Sequence, residues 1–389
     1  MSKMTLMMVA GERSGDVYGG ELASALRARL GDLEIFGCGG EAMRHAGVLT
    51  PVDLSRFAML GITEVISGLP RAYRAFKALM AEVDQRRPSL AVLIDSPSLN
   101  LRLAKRLKRR QIPVVYFVSP QIWAWKKWRI KQIKERVDKM LCIFDFEEEI
   151  YRKARVPVEY VGHPLVDLTH VTIAREDFFA KADLDPNTPT IAFLPGSREK
   201  EITFNLPTMM DTASRLALSR KIQFVVAVAP SLDPAWVESK LSDCYVGRAT
   251  IRAVSHLTAE ALAHSDLAVV ASGTATLVAT LLERPMIVVY RVSPISWAIG
   301  KFMVDVPFYS MVNLLAKKRV VTELMQNDYT TKALTERCEH LLDDERARKE
   351  MVEELRAIRP RLGPGGAIGR AAEAILGLLK ADEIAPAAG

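Results

Sequence analysis

The feature that most restricts the fold of this chain is a recurring order of short apolar strand, small-residue turn and helix. The clearest example spans residues 266–291, where the apolar run Leu267–Ala271 is followed by Ser-Gly-Thr, a helical segment at residues 275–282 and a second apolar run, Met286–Tyr290. Backbone N–H groups at such a turn point out of the helix N-terminus and can bind an anion such as phosphate. The same order also occurs in β-α-β units that bind nothing, so this stretch alone leaves both interpretations open.

The same order recurs along most of the chain. Predicted strands at residues 5–9, 34–36, 90–94, 114–118 and 140–144 alternate with predicted helices at residues 18–30, 71–85, 99–110 and 129–137, with glycine turns at residues 10–16 and 37–40. After a polar stretch at residues 183–189, the order restarts with strands at residues 190–194, 224–229, 250–253, 267–271 and 286–290. Strands separated by helices predict an α/β fold with parallel, doubly wound sheets.

The length of the chain predicts more than one domain. A single hydrophobic core stops growing near roughly 250–300 residues, and this chain has 389. We expect two Rossmann-like domains, at residues 1–168 and 169–362, that face a central cleft with ligands at the carboxyl ends of their strands. After residue 332 the pattern is helical, and the Gly-Pro-Gly-Gly run at residues 363–366 is predicted to be a hinge before a last helix at residues 367–379.

Positive charge is concentrated in the first half of the chain. Residues 102–136 contain twelve Lys and Arg and only one acidic residue, Glu135, so this segment carries +11 while the rest of the chain sums to −4. Such a local field suits nucleic acid, an anionic membrane surface or a phosphorylated lipid.

Three glycine- or serine-containing turns each follow a predicted strand and precede a predicted helix, at residues 11–16, 196–199 and 272–274. Arg198 stands at the start of a helix, where a guanidinium can pair with a diphosphate and offset charge on a departing nucleotide. The competing interpretation is a surface salt bridge from Arg198 to Glu199 or Glu201.

Asp95 is the strongest single candidate for a catalytic residue. It ends the apolar run Leu90–Ile94 and precedes Ser-Pro-Ser, so its carboxylate is expected at the carboxyl edge of the sheet, where a general base can take a proton from a hydroxyl. The alternative is that Asp95 only forms a turn and caps a helix, and Ser98 is a second candidate cap.

Apolar and basic side chains alternate at residues 57–80 and again around Trp123, Trp125 and Trp128. This pattern suits a surface that inserts aromatic side chains into a bilayer and attracts anionic headgroups. Burial of most of these apolar residues in the core is an equally open interpretation.

The sequence gives little support for a disulfide, a metal site or a membrane-spanning segment. The four cysteines form no CxxC pair and predict reduced thiols in the cytoplasm. The six histidines show no metal-binding spacing, so no metal and no other cofactor is expected. No apolar run is long enough for a transmembrane helix, and the N-terminus is predicted to be a strand and not a signal peptide.

Taken together, ten segments make the chain resemble the lipid-A-disaccharide synthase family of inverting glycosyltransferases, which have the GT-B fold. They run in order along nearly the whole chain, and the VSPQIWAW, PGSR and SGT motifs are the most specific. The segments are AGERSGD (10–16), GCGGEAM (37–43), GITEV (61–65), DSPSLN (95–100), VSPQIWAWKKWRIKQI (118–133), GHPLVD (162–167), LPGSREKEI (194–202), ASGTATL (271–277), YRVSP (290–294) and MVNLLA (311–316).

The resemblance implies transfer of 2,3-diacylglucosamine from its UDP derivative to the 6-hydroxyl of 2,3-diacylglucosamine 1-phosphate, which gives a β-1,6-linked disaccharide 1-phosphate and UDP in lipid A and lipopolysaccharide biosynthesis. It assigns the catalytic base to Asp95 and requires no metal. It also implies a peripheral place at the cytoplasmic side of the inner membrane, a final segment at residues 363–389 that returns to the first domain, and a homodimer in some members. Nucleotide-sugar binding falls on Glu12, Ser14, Gly15, Gly196, Ser197, Arg198, Ser272, Gly273, Thr274, Arg291, Asn313 and Gln326. The expected membrane or acceptor surface comprises Met59, Leu69, Arg71, Phe76, Trp123, Lys126 and Lys127.

One position departs from the family pattern. Four residues after Thr274 the family usually has Glu, a residue suited to a ribose hydroxyl, and this chain has Val278. Two kinds of alternative therefore stay open. One is another GT-B enzyme that uses UDP-N-acetylglucosamine, either a peptidoglycan-type transferase or a 2-epimerase. The other is a non-catalytic lipid- or nucleotide-binding descendant.

Overall fold

A computed structural model describes residues 4–53, 65–244, 246–294, 296–298 and 306–384, without the side chains of residues 65–72 and 381–384. The chain divides into two compact units. Residues 1–167 and 362–389 form unit 1, and residues 168–361 form unit 2. The sequence-based borders at residues 168/169 and 362/363 differ from these by one residue at each crossing.

Unit 1 is built on a seven-stranded parallel sheet in the order β3-β2-β1-β4-β5-β6-β7. Its strands are β1 (Met4–Ala10), β2 (Leu33–Gly39), β3 (Leu49–Asp53), β4 (Leu90–Ile94), β5 (Val114–Phe117), β6 (Lys139–Cys142) and β7 (Val158–Tyr160). Its helices are α1 (Arg13–Leu30), α2 (Glu41–His45), α3 (Val65–Arg86), α4 (Pro97–Lys108), α5 (Arg129–Arg136), α6 (Asp145–Lys153), α7 (Leu165–Leu168, which straddles the border with unit 2) and α16 (Ala367–Ile384). β4 is buried along its whole length, which is why all five of its residues are apolar.

Unit 2 is built on a six-stranded parallel sheet in the order β10-β9-β8-β11-β12-β13. Its strands are β8 (Thr190–Leu194), β9 (Gln223–Val228), β10 (Thr250–Ser255), β11 (Leu267–Ala271), β12 (Met286–Tyr290) and β13 (Thr322–Met325). Its helices are α8 (Arg175–Lys181), α9 (Glu199–Ser219), α10 (Pro234–Ser242), α11 (Thr258–His264), α12 (Thr274–Leu281), α13 (Met311–Ala316), α14 (Thr331–Asp343) and α15 (Glu345–Ile358), followed by a 3₁₀ turn at Arg359–Leu362.

The predicted α/β class with two doubly wound parallel sheets is confirmed, and the β4, β8, β11 and β12 bounds match the predicted runs. The predicted glycine turn at residues 37–40 is wrong, because β2 continues through Gly39. Position 37 requires glycine for a different reason: a Cβ there would lie 1.9 Å from the carbonyl oxygen of Met8 on the neighbouring strand. Ser98 does not cap α4, because that helix begins at Pro97 with Ser96 before it. Edge strands β3, β7 and β13 were not predicted, since their short, mixed sequences lack a strand pattern.

Each sheet has one point where the strand order reverses. In unit 1 it lies between β1 and β4, and in unit 2 between β8 and β11. The connections to either side of such a point leave in opposite directions, which opens a crevice at the carboxyl ends of the two strands. The turns after β1, β4, β8 and β11 therefore define the place in each unit where a ligand is expected.

The last helix completes unit 1. The Asp167 carboxylate accepts from the backbone N–H groups of Gly366 and Ala367 at 2.8 and 3.1 Å, so it caps the start of α16. Arg370 donates to the Val161 carbonyl at 2.7 Å, and Glu373 pairs with Arg29 of α1 at 2.8 Å. The glycine-rich run at residues 363–366 joins the 3₁₀ turn to α16 within these contacts.

Candidate active site

The turns after β1 and β4 in unit 1 lie side by side, because the two strands pair in parallel with Ala10 opposite Ile94. Gly11 follows β1 and Ser96 follows β4. A Cβ on Gly11 would lie 2.1 Å from Ser96 Oγ, so only glycine leaves room for the second turn. This contact sets the turn that carries Asp95 against the turn at the start of α1.

Asp95 is half-buried and adopts a left-handed backbone with φ of 49°, and Ser96 follows with φ of 46°. Such conformations cost non-glycine residues about 1–2 kcal/mol, so surrounding contacts must hold them. The N–H of Asp95 donates to the Phe117 carbonyl at 2.9 Å, and its carbonyl accepts from Asn100 Nδ2 at 2.8 Å and from the Tyr116 hydroxyl. The backbone of Asp95 is thus held in this conformation by three hydrogen bonds.

The Asp95 carboxylate lies close to two buried phenols. Burial, and secondarily the negative charge of Asp95, raise the pKa of Tyr18 and of Tyr116. The raised pKa keeps both phenols neutral at neutral pH, so neither tyrosine carries a charge beside Asp95.

The predicted residues at the start of α1 have different roles. Glu12 is exposed and precedes the helix, while Ser14 is half-buried. Gly15 is buried, and a Cβ there would lie 3.4 Å from Ile94 Cγ2 of β4. The neighbouring Asp16, which sequence reasoning did not single out, accepts from Gly40, Ala42 and Met43 N–H groups at 2.6, 3.0 and 3.2 Å and fixes the N-terminus of α2.

The loop at residues 118–128 follows β5 at the same edge of the sheet. Trp123 Nε1 donates to the buried Glu147 carboxylate at 3.1 Å, and its ring packs edge-on against Phe146 at 5.3 Å. Trp123 is therefore turned inward, and the exposed indole of this loop belongs to Trp128, with 58% of its surface accessible. Burial raises the pKa of Glu147 to about 7, and the hydrogen bond from Trp123 opposes that shift.

The rest of the expected membrane or acceptor surface is placed as follows. Phe76 is half-buried and packs against the core cluster of unit 1, which favours the core interpretation for that residue. Lys127 is exposed, and Lys126 lies over the Trp125 ring with its nitrogen 4.3 Å from the centroid. Met59 and the side chains of Leu69 and Arg71 lie outside the described residues.

In unit 2, the turn after β8 contains Gly196, Ser197 and Arg198 immediately before α9. Gly196 has φ of 136°, and a Cβ there would lie 2.4 Å from Glu201 Cβ. The Glu201 carboxylate accepts from the Ser197 N–H at 2.8 Å and pairs with Arg198 at 3.2 Å. This ion pair is the predicted alternative for Arg198, yet the arginine side chain keeps 60% of its surface exposed and can exchange partners with a ligand.

The turn after β11 lies beside the turn after β8, because these strands are neighbours. Gly273 has open space where a side chain would be, and Gly273 and Thr274 are exposed. Ser272 Oγ donates to the Tyr309 carbonyl at 3.1 Å. Val278, where the family pattern usually has Glu, is half-buried on α12.

Two further predicted residues follow β12 and β13, which extend the same edge. The Arg291 guanidinium donates to Thr208 Oγ1 at 2.9 Å and to the Tyr329 carbonyl, and it lies over the Tyr329 ring. Gln326 exchanges two hydrogen bonds with the backbone of Val292, at 2.8 and 3.2 Å. Both side chains hold the loops after these strands in place.

Asn313 is fully buried on α13. Its Oδ1 accepts from the N–H groups of Val320 and Val321 at 2.7 and 3.0 Å, and its Nδ2 donates to the Val321 carbonyl and to Glu323 at 3.0 and 2.8 Å. An amide side chain offers two acceptor positions and two donor positions, and all four are used. Glu323 also accepts from the Tyr309 and Ser310 N–H groups at 3.1 and 2.9 Å, which links Asn313 to the segment that receives Ser272.

Within the described part of the chain, no group of three or more His, Cys, Asp or Glu side chains is arranged to hold a metal ion. The described helices also include none that combines the length and the hydrophobicity needed to cross a bilayer.

Two Rossmann-like units, each with one strand-order reversal in its parallel sheet, are typical of the GT-B class. Solved structures of that class share this fold over nearly the whole chain. They include the UDP-bound MnaA of S. aureus (TM-score 0.66, 13% identity, 97% of each chain) and the UDP-GlcNAc 2-epimerase of Neisseria meningitidis bound to UDP-GlcNAc (TM-score 0.64, 13% identity, 96% of this chain and 100% of that one). A glycosyltransferase from Rickettsia africae aligns with a TM-score of 0.57 at 13% identity over 98% of this chain and 99% of that one. At such low identity these likenesses establish the fold alone.

The sequence places the chain more narrowly. Residues 6–361 match the family model described as lipid-A-disaccharide synthetase. The chain is 44% identical to the lipid-A-disaccharide synthase of Myxococcus xanthus (strain DK1622) over 375 residues and 41% identical to that of Solibacter usitatus (strain Ellin6076) over 376 residues, covering 96% of this chain and 97% of each relative. The chain belongs to the lipid-A-disaccharide synthase family.

Proposed function

We propose that this protein is the glycosyltransferase that joins two acylated glucosamine units: 2,3-diacylglucosamine passes from UDP to the 6-hydroxyl of 2,3-diacylglucosamine 1-phosphate, with inversion at the transferred carbon. The products are the β-1,6-linked lipid A disaccharide 1-phosphate and UDP. Family membership over residues 6–361 supports the activity. The observation that carries the assignment of the chemistry is the position of Asp95 at the strand-order reversal of unit 1.

Asp95 acts as the general base in this proposal. Inversion needs one in-line displacement, so one base that takes the proton of the acceptor hydroxyl is sufficient and no covalent intermediate forms. The half-buried carboxylate is held by a backbone with three hydrogen-bond partners, which supports a fixed orientation toward the acceptor. The proton leaves the hydroxyl as its oxygen attacks, and the electron pair of the broken glycosidic bond departs with UDP.

The donor nucleotide is proposed to bind at the turns after β8 and β11 in unit 2. The exposed residues Gly273 and Thr274 stand at the start of α12, where backbone N–H groups can bind a diphosphate, and the exposed Arg198 side chain adds positive charge. Charge that develops on UDP is stabilised by these groups. Arg291, Asn313 and Gln326 contribute by holding the surrounding loops, since their side chains bond to the protein.

We further propose that unit 1 meets the cytoplasmic face of the inner membrane through exposed Lys127 and Trp128. A basic and aromatic surface gains from anionic headgroups and from burial of an indole at the interface. Vesicle flotation tests this: binding to vesicles that contain phosphatidylglycerol is expected to fall with added salt and with Trp128→Ser, and binding that is indifferent to both contradicts it.

A turnover assay tests the function itself. Purified protein, UDP-2,3-diacylglucosamine and 2,3-diacylglucosamine 1-phosphate are incubated in detergent micelles, and disaccharide 1-phosphate and UDP are measured in equal amounts. Folded protein that binds UDP but forms no disaccharide would rule the proposal out and leave a non-catalytic binding role. Conversion of UDP-N-acetylglucosamine to its 2-epimer would point to the epimerase alternative.

A further inference from the structure

Arg129 is the one buried Lys or Arg among the residues that the structure describes. Only 6% of its surface is accessible. No carboxylate in the described part of the chain lies within salt-bridge distance of its guanidinium, whose protein partners are Ser98 Oγ at 3.3 Å and the face of Trp125. Other cations of the basic segment do have such partners, as Lys108 has Asp138 and Arg110 has Asp84, each at 2.6 Å. A buried charge without a counter-ion is costly, so this one requires a reason.

Two neighbouring features add positive potential around the Arg129 guanidinium. Lys126 lies over the same Trp125 ring, with its nitrogen 4.3 Å from the centroid against 5.1 Å for the Arg129 guanidinium carbon. Arg129 is also the first residue of α5, an end at which the helix dipole favours anions. Burial lowers the pKa of Arg129, while burial and then the charge of Arg129 lower the pKa of Lys126. A bound anion would offset the positive charge that Arg129, Lys126 and the helix N-terminus concentrate here.

The pair lies beside the loop that carries the base. Ser98, the hydrogen-bond partner of Arg129, is three residues after Asp95. Tyr116 interacts electrostatically with both Asp95 and Arg129, and its hydroxyl donates to the Asp95 carbonyl. An anion bound at Arg129 would therefore occupy the same edge of unit 1 as the carboxylate of Asp95.

We propose that Arg129 and Lys126 form a binding site for a phosphate monoester, and that the 1-phosphate of the acceptor sugar occupies it while the 6-hydroxyl meets Asp95. This assignment rests on the proposed function. Guanidinium groups bind phosphate through parallel charge-assisted hydrogen bonds, and an ammonium adds a point charge. The 1-phosphate and the 6-hydroxyl belong to one sugar, so two contacts at one edge of unit 1 fix its orientation. Arg129 thereby selects a phosphorylated acceptor and is a positioning residue.

The test compares two acceptors with two variants of Arg129 and one control variant, in the same detergent micelles. The acceptors are 2,3-diacylglucosamine 1-phosphate and its 1-O-methyl counterpart without phosphate. Arg129→Met removes the buried charge and keeps the length of the side chain, while Lys134→Met removes an exposed charge from the same helix. Arg129→Lys keeps a charge but not the guanidinium geometry, and it still tests the site if Arg129→Met does not fold.

The expected result is a loss of kcat/KM that occurs only with the acceptor that carries a 1-phosphate. Arg129→Met lowers kcat/KM for the phosphorylated acceptor by about 100-fold, and Arg129→Lys lowers it by less. On the phosphate-free acceptor both variants match the wild type, and KM for the donor is unchanged throughout. Lys134→Met behaves like the wild type on both acceptors.

Three results would overturn the inference. Equal losses on both acceptors would make Arg129 a structural residue, and a raised donor KM would assign it to the nucleotide diphosphate. Reduced binding to phosphatidylglycerol vesicles with unchanged acceptor selectivity would assign it to membrane headgroups. Tryptophan fluorescence titrations with glucosamine 1-phosphate and with glucosamine separate this inference from the transferase activity. A protein without turnover still supports the phosphate site if only the first compound binds and Arg129→Met abolishes that binding.

Discussion

Ser96 occupies the space that a side chain on Gly11 would need: a Cβ on Gly11 would lie 2.1 Å from Ser96 Oγ and 2.2 Å from Ser96 Cβ. The contact joins the turn after β1 to the turn after β4, and the second of these turns carries Asp95. The placement of Asp95, the proposed base, therefore depends on the absence of a side chain at Gly11 in the neighbouring turn.

Gly11→Ala is expected to displace Ser96 and with it Asp95, and to lower kcat by roughly 100-fold, as misplacement of a reacting group by about 1 Å does. Adding Ser96→Gly to this variant removes both clashing atoms and leaves Ser96 Cα 3.8 Å away, so the double variant is expected to recover most of the activity. Steady-state assays of the two single variants and the double variant measure the coupling. Gly377→Ala, where a Cβ meets nothing within 4 Å, is the control for the substitution itself. Full activity in Gly11→Ala would show that the contact does not position the base.

Replacing Asp95, the proposed base, gives a second prediction. Asp95→Asn keeps the size of the side chain and removes its ability to accept a proton, so kcat is expected to fall by about 10²–10⁴-fold. The affinity for UDP, measured by calorimetry, is expected to stay unchanged because the proposed nucleotide contacts belong to unit 2. Asp84→Asn, at an exposed carboxylate paired with Arg110, controls for loss of an acid and should keep normal turnover. Activity that survives in Asp95→Asn would remove this residue as the base.

The buried Glu147 predicts a pH-dependent stability of unit 1. Its pKa is about 7 in the folded protein against an ordinary value of 4.5, and only 1% of its surface is accessible. Between these two values the folded protein binds more protons than the unfolded chain, so stability falls as pH rises from 4.5 through 7 and then levels off. The penalty above pH 7 is about 3 kcal/mol.

Urea unfolding followed by tryptophan fluorescence measures this effect, since three of the five tryptophans, Trp123, Trp125 and Trp128, lie in unit 1. Relative to Glu147→Gln, the wild type is expected to lose about 2–3 kcal/mol between pH 5 and pH 8. Glu149→Gln, at an exposed neighbour paired with Lys153, should keep the slope of the wild type. The same slope in Glu147→Gln would mean that another group titrates.

Asn313 gives a prediction that separates stability from binding. Asn313→Ala removes the partner of the Val320 and Val321 N–H groups and of the Val321 carbonyl and one of the hydrogen bonds to Glu323, at a cost of about 3–5 kcal/mol. Because its amide is fully used within unit 2, UDP affinity of the folded variant is expected to stay within roughly threefold. Thermal unfolding and calorimetry at low temperature measure the two effects, with the exposed Asn327→Ala as control. A tenfold weaker UDP affinity with normal stability would make Asn313 a direct ligand contact.

Much of the fold was predictable because buried parallel strands leave a strong mark on sequence. β4, β8, β11 and β12 are continuous apolar runs between turn residues, and their bounds coincide with the predicted runs. The strand β7, with the sequence Val-Glu-Tyr, is half-buried and too short to show any periodicity. The glycines of residues 37–40 were misinterpreted because close approach of Met8, a contact distant in sequence, is what requires glycine at position 37.

The site residues that directly follow apolar strands could be predicted from the sequence. The residues whose role depends on whether their side chains are buried could not. Asp95 and the turns at Gly196 and Ser272 follow apolar strands, so their place at the carboxyl edge could be inferred. Whether Trp123 or Trp128 faces solvent depends on Glu147, which lies in a later helix. Arg129 did carry one local signal, a cation at the first position of a helix. Its burial, and the absence of an acidic partner among the described residues, became visible only in the structure.

The order in which the two units lie along the chain has a consequence for synthesis on the ribosome. Unit 2 is one continuous segment, while unit 1 needs α16, which is made after all of unit 2. Until then the partners of α16 on α1 are exposed and Asp167 has no helix to cap. The nascent unit 1 therefore stays incompletely folded while some two hundred further residues are added at about 5–20 per second. That interval is when exposed apolar surface on α1 is most open to a chaperone or to aggregation.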